Sequence, residues 1–267
     1  MARTPPASTH ERLASSPFRA LFQARIGIMA LKQLTDEISL IPGLVNVYIL
    51  QTDDGLAVLD TGFPGSTKKI LAGVRALGRT PTDVRHIILT HCHPDHIGNA
   101  AALKRDTGAI VWAHPIDAPM IEAGTTMRPP MTPSPGLRNL LLGKLLAGRV
   151  SQVEPTKVDR LLEDGDSPPF APDMTVIHVP GHCAGQIALF WRRHGGVLFT
   201  ADACINRGGL KLAIGTEDPQ LALASLAKLA TFDFDKVLVM HGNPIMADGS
   251  EQFRRTEFDT FPKKREI

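Results

Sequence analysis

The chain has 267 residues, with 29 Lys and Arg against 27 Asp and Glu and a net charge of +2 with histidines neutral. So even a balance gives no electrostatic argument for nucleic acid or an anionic membrane, and 43% hydrophobic with 21% charged residues describes a chain that buries a large core. Three cysteines provide no disulfide framework, no apolar run reaches bilayer length, and residues 1–16 lack the apolar stretch of an export signal, so a cytoplasmic protein is expected.

Residues 1–20, polar and containing Pro5 and Pro6, read as a loose leader, and 21–267 as a single domain. Val45, Val47, Tyr48 and Ile49 predict a strand over 44–50, and Asp53-Asp54-Gly55 is a turn signal. A second strand over 56–59 then ends in Asp60-Thr61-Gly62. Ser66 is placed to cap a helix reaching about Leu77, with Ile70, Leu71, Val74 and Leu77 at helical spacing. A buried strand over 85–90 runs straight into His91-Cys92-His93-Pro94-Asp95-His96, followed by a helix over 99–106 and a strand over 109–113.

From 120 to 153 the pattern changes. Pro129, Pro130, Pro133 and Pro135 interrupt it, and Leu137, Leu140, Leu141 and Leu145 mark an amphipathic helix over 137–146. This excursion from the core reads as a lid, a homodimer contact, or a cap over one sheet edge. Strands resume near 157–162, 174–179, 186–191 and 197–200. Asp218 with Pro219 starts a helix through Leu229, 236–240 is the last strand, and 248–258 closes the chain as a helix. Strands first, then strands interleaved with helices, indicate an α/β or α+β sandwich.

The six residues 91–96 hold three imidazoles and a carboxylate at the mouth of a strand, the donor types that bind divalent metals. Three more polar residues, His182, Asp202 and His241, also lie just past apolar strands. Strand ends in a layered sheet protein open onto one edge, so these groups are expected to converge.

The set His91, His93, Asp95, His96, His182, Asp202 and His241 resembles the metallo-β-lactamase superfamily of binuclear metallohydrolases. Asp60-Thr61-Gly62, Pro180-Gly181-His182 and His241-Gly242 match further motifs of that family. The resemblance implies an αββα four-layer sandwich: two mixed β-sheets with helices outside. It implies two divalent ions, zinc first with iron or manganese as alternatives. His91, His93 and His182 would hold one ion, Asp95, His96 and His241 the other, and Asp202 would bridge them. Asp60 would fix the ligand loop without touching metal. The ion pair would activate a bridging hydroxide, with Asp95 relaying a proton to the leaving group. Cys92, Cys183 and Cys204 each neighbour a motif residue; since the ligand set is full without them, they read as small buried side chains under the loops.

The implied activity is hydrolysis of a small ester-like bond in a small-molecule substrate: lactone, thioester, ester or β-lactam. A lactonase or esterase stands ahead of a β-lactamase because no export signal is evident. A mononuclear iron persulfide dioxygenase shares many of these ligands and is the redox alternative, whereas diiron electron-transfer members place a glutamate where His93 stands. A phosphodiesterase on nucleic acid would need a basic docking surface. Residues 63–65, 120–153 and 206–211 are the candidate pocket walls. Arg207 and Lys211 read as solvated charges, and Tyr48, the single tyrosine, as core.

Overall fold

The computed structural model describes residues 31–128, 131–134 and 152–258. The strands, in chain order, are β1 (Lys32–Gln33), β2 (Ile38–Ile41), β3 (Val47–Thr52), β4 (Gly55–Leu59), β5 (Val84–Ile88), β6 (Ile110–Ala113), β7 (Thr132–Pro133) and β8 (Arg160–Leu161). They continue with β9 (Met174–His178), β10 (Ile187–Trp191), β11 (Val197–Phe199), β12 (Ile205–Asn206), β13 (Leu210–Lys211), β14 (Gly215–Thr216) and β15 (Lys236–Leu238). The helices are α1 (Thr67–Ala76), α2 (Pro94–Ile97), α3 (Ala100–Thr107), α4 (Ala118–Ala123), α5 (Pro219–Leu229) and α6 (Gly249–Arg255).

One sheet has the order β1-β2-β3-β4-β5-β6-β8, antiparallel through β4 and parallel beyond it. The other has the order β15-β11-β10-β9, with β11 and β15 parallel and β10 antiparallel to both neighbours. The apolar strands have two buried faces, which is why they read as near-continuous hydrophobic runs. Tyr48, Leu50, Leu59 and Ile88 pack against Val176, Leu189, Phe199 and Leu238 from the facing sheet. The alternate residues Val47, Ile49, Val58 and Ile87 pack outward on Ile70, Val74 and Leu103 of α1 and α3. On the far side Ile177, Leu198 and Val237 pack on Leu226 and Leu229 of α5 and Phe253 of α6. The layers are therefore αββα, as the resemblance implied.

Most sequence-predicted elements are present with ends shifted by a residue or two. Asp218 caps α5 as expected, its Oδ1 accepting from the N–H groups of Gln220 (2.9 Å) and Leu221 (3.1 Å). The start of α1 is a correction. Ser66 sits at the cap position, but its hydroxyl donates to the Phe63 carbonyl, and the acceptor for the N–H groups of Ser66 and Thr67 is Oδ1 of Asn99, at 2.8 and 3.3 Å. The expected strand over 157–162 shortens to β8, α4 occupies the beginning of the 120–153 excursion, and the helix expected over 137–146 lies outside the described residues. No helix among the described residues is long and apolar enough to cross a membrane.

Candidate metal centre

The sequence-predicted site residues come together where strands of both sheets end. Asp60 follows β4, and His91, His93, Asp95 and His96 follow β5 and enter α2. His182, Asp202 and His241 follow β9, β11 and β15. Gly181, at φ 133°, shows what brings His182 in: a Cβ there would lie 2.2 Å from the backbone nitrogen of Ala222, so only glycine lets α5 pack against this loop.

Four imidazoles turn Nε2 inward because an acceptor holds the other nitrogen. The Gly215 carbonyl lies 2.6 Å from Nδ1 of His182 and the Leu44 carbonyl 2.9 Å from Nδ1 of His241. A carbonyl only accepts, so each Nδ1 carries the proton. Asp60 Oδ2 lies 2.8 Å from Nδ1 of His96 and imposes the same tautomer. The Thr90 hydroxyl donates to Asp60 (2.8 Å), leaving its oxygen to accept from Nδ1 of His91 at 3.0 Å.

The first group consists of His91, His93 and His182. Nδ1 of His93 lies 3.0 Å from Nε2 of His91 and 2.9 Å from Nε2 of His182. Two lone pairs are aimed at one ring nitrogen, and a single proton there cannot satisfy both well. Burial pushes all three imidazoles below their usual pKa, His93 to about 3, so they are neutral donors. Three neutral imidazoles meeting at one point suit a borderline-soft divalent cation.

The second group, Asp95, His96 and His241, has the opposite electrostatics. Burial opposes charge here, yet Asp202 and Asp95 outweigh it, raising His96 well above the usual histidine range and His241 to about 10. Burial likewise opposes ionisation of Asp95, but His96 and His241 hold its carboxyl at about 2. The carboxylates thus demand positive charge at this point. Asp202 joins the groups: its Oδ2 lies 3.1 Å from Nε2 of His241, 3.5 Å from Nε2 of His96 and 3.6 Å from Nε2 of His182. Among the described residues, its Oδ1 and Nε2 of His96 are buried without a hydrogen-bond partner. Orphaned polar atoms of this kind are costly unless a cation takes them up, so the residues fit metal.

Several supporting residues escaped the sequence reading. Thr90 ties Asp60 to His91, and Gln186 accepts from the Asp202 N–H at 3.2 Å. Asp117, Arg128 and Glu217 surround Cys92 and Cys183 behind the first group. Asp117 carried one usable signal: like the histidines, it lies shortly after a buried parallel strand, β6. Arg207, read as a solvated charge, is exposed, and it also donates to the Leu44 carbonyl (3.2 Å), the acceptor that orients His241. Tyr48 is core, with its hydroxyl donating to the Val239 carbonyl at 2.7 Å.

The model of the metallo-beta-lactamase superfamily matches residues 40–241, and the chain belongs to that family. It is 31% identical over 221 residues to YflN of Bacillus subtilis, a probable metallo-hydrolase, covering 76% of this chain and 82% of YflN. It is 29% identical over 204 residues to a hydroxyacylglutathione hydrolase of Albidiferax ferrireducens, covering 75% of this chain and 64% of that protein. Among solved structures, BJP-1, a subclass B3 metallo-beta-lactamase of Bradyrhizobium japonicum, aligns with a TM-score of 0.64 and 25% identity over 84% of this chain and 88% of that one. The protein is a metallohydrolase of this fold.

Proposed function

We propose that the enzyme hydrolyses a small ester-like bond, a thioester or ester ahead of a lactone or β-lactam, with two divalent ions, zinc first, held by the two groups and bridged by Asp202. The observation that carries this reading is Asp202 Oδ2, which faces Nε2 atoms of both groups within 3.6 Å. When bound, such an ion pair polarises the scissile carbonyl and activates a water as nucleophile. The protein's own part is positional. Asp60 holds His96 in the tautomer that binds metal, and the Leu44 carbonyl does the same for His241. Asp95, one-fifth exposed beside His96 and His241, would take a proton from the activated water and pass it to the leaving group.

Neither cysteine nor tyrosine chemistry competes. Burial pushes the Cys204 thiol up to about 12, and Cys183, hydrogen-bonded and buried, is also raised. Tyr48 is fixed on Val239, so a mechanism needing a tyrosine hydroxyl at the oxyanion has no candidate in this chain, which sets lactones behind thioesters. Leu44, 72% exposed, extends from the backbone segment whose carbonyl orients His241, which favours an acyl group with apolar character.

The test is a panel of thioesters, esters, lactones, β-lactams and phosphodiesters on metal-loaded protein, with Asp95→Ala and His96→Ala as controls. Turnover of an ester-like substrate with two zinc ions per chain is expected. Undiminished turnover in both variants refutes the site. One iron per chain with oxygen consumption moves the protein to the dioxygenase class.

A further inference from the structure

Behind the first group, and outside the seven donors, lies a cluster of the buried Cys92, Cys183 and Asp117 with the partly buried Arg128 and Glu217. Cys92 stands between His91 and His93, and Cys183 directly follows His182, so the cluster touches both loops that supply that group. Oδ2 of Asp117 accepts the Cys92 backbone N–H at 2.8 Å and the Cys183 S–H at 3.2 Å. One fully buried carboxylate oxygen therefore ties together two loops from different sheets. Its other oxygen is paired with Arg128 at 2.8 Å, and Arg128 also donates to the Ile116 carbonyl. The same guanidinium lies 3.6 Å from Glu217, whose second oxygen accepts the Ala184 N–H at 2.8 Å. Gly185 completes the fit, since a Cβ there would sit 2.2 Å from Oδ1 of Asp117.

We propose that Asp117, held by Arg128, is the positioning residue of the first metal group, setting the separation of the His91/His93 loop from the His182 loop. This rests on the reading of His91, His93 and His182 as ligands of one ion. A carboxylate is required because every neighbour of Asp117 is a donor: an N–H, an S–H and a guanidinium. An asparagine of the same shape must turn its NH2 toward one of them, leaving two donors face to face at a buried side chain. The role also explains two of the cysteines. The Cys183 thiol donates to Asp117, and Cys92 is in contact with it across 3.6 Å between sulfurs. Cys204 takes no part in the cluster.

The experiment is a chelator titration of zinc-loaded protein that resolves stepwise release. His182→Ala and His241→Ala assign each step to its group. In Asp117→Asn the step assigned by His182→Ala is expected to weaken about 10- to 100-fold, the usual cost of losing a partner that orients metal ligands. The step assigned by His241→Ala stays unchanged. Gly185→Ala, whose methyl displaces the same carboxylate, is expected to weaken the same step even if Asp117→Asn fails to fold. The double variant should be no worse than the more affected single one, because both act through one group. Equal loosening of both steps would mean general destabilisation and overturn the proposal, as would two unchanged steps. Selective loosening in a protein that turns over no ester-like substrate leaves the clamp standing and removes the substrate reading instead.

Discussion

Asp60 is fully buried and held at φ 56°, a left-handed backbone that costs a non-glycine residue about 1–3 kcal/mol. The cost is offset because both of its oxygens are used: the Thr90 N–H, the Thr90 hydroxyl and Nδ1 of His96 all donate to it within 2.8 Å. Asp60→Asn keeps the shape but turns an NH2 toward one of those donors. We expect zinc bound by the Asp95, His96 and His241 group to weaken by about 10- to 100-fold, with kcat/KM falling in step. Metal content after dialysis and kcat/KM on the same preparation check this; normal values for both would remove Asp60 from the site. At this scale the sequence was informative where a residue type is itself chemical. A histidine or aspartate after an apolar strand marks a candidate site residue by type, as Asp60 and the seven candidate donors all show. Thr90, Gln186 and Asp117 act through what they touch, and Thr90 looks like any strand residue until Asp60 is seen beside it.

At the scale of elements, most of the core strands were legible because they have two buried faces and read as apolar runs, although the equally buried β2 was not read, and α5 was legible because Asp218 and Pro219 mark its start. The cap of α1 was not, because its acceptor comes from Asn99, 33 residues away from Ser66. That difference yields a test. Asn99 also donates to the carbonyls of Thr61 (2.6 Å), Gly62 (3.1 Å) and Phe63 (2.6 Å), so it fastens the Asp60-Thr61-Gly62 loop to α1. Asn99→Ala leaves several buried groups unpaired and should cost about 2 kcal/mol or more, whereas Ser66→Ala should cost under about 0.5 kcal/mol. Urea unfolding of the two variants decides it, and the reverse order would restore Ser66 as the cap. Elements of two residues, such as β12, β13 and β14, carry too little pattern to be read before the fold is known, although the Gly215 carbonyl of β14 orients His182.

The whole molecule adds a constraint that neither residues nor elements contain. Each metal group takes donors from both sheets: His91 and His93 with His182, and Asp95 and His96 with His241. Bound ions would therefore fasten the sandwich at its open edge, where the hydrophobic core between the sheets gives way to the site. A ligand at about 1,000 times its dissociation constant stabilises the folded state by about 4 kcal/mol. For a domain of this size each kcal/mol moves Tm by about 2–4 °C, so each ion bound at saturation should raise Tm by about 8–16 °C over chelated protein. Calorimetry with and without chelator measures the shift. Because the groups are separate but share Asp202, His182→Ala and His241→Ala should each lose part of that shift, and Asp202→Ala should lose most of it. A chelator effect that survives intact in Asp202→Ala would mean that the stabilising ions bind elsewhere, and the bridge between the sheets would have to be sought in other residues.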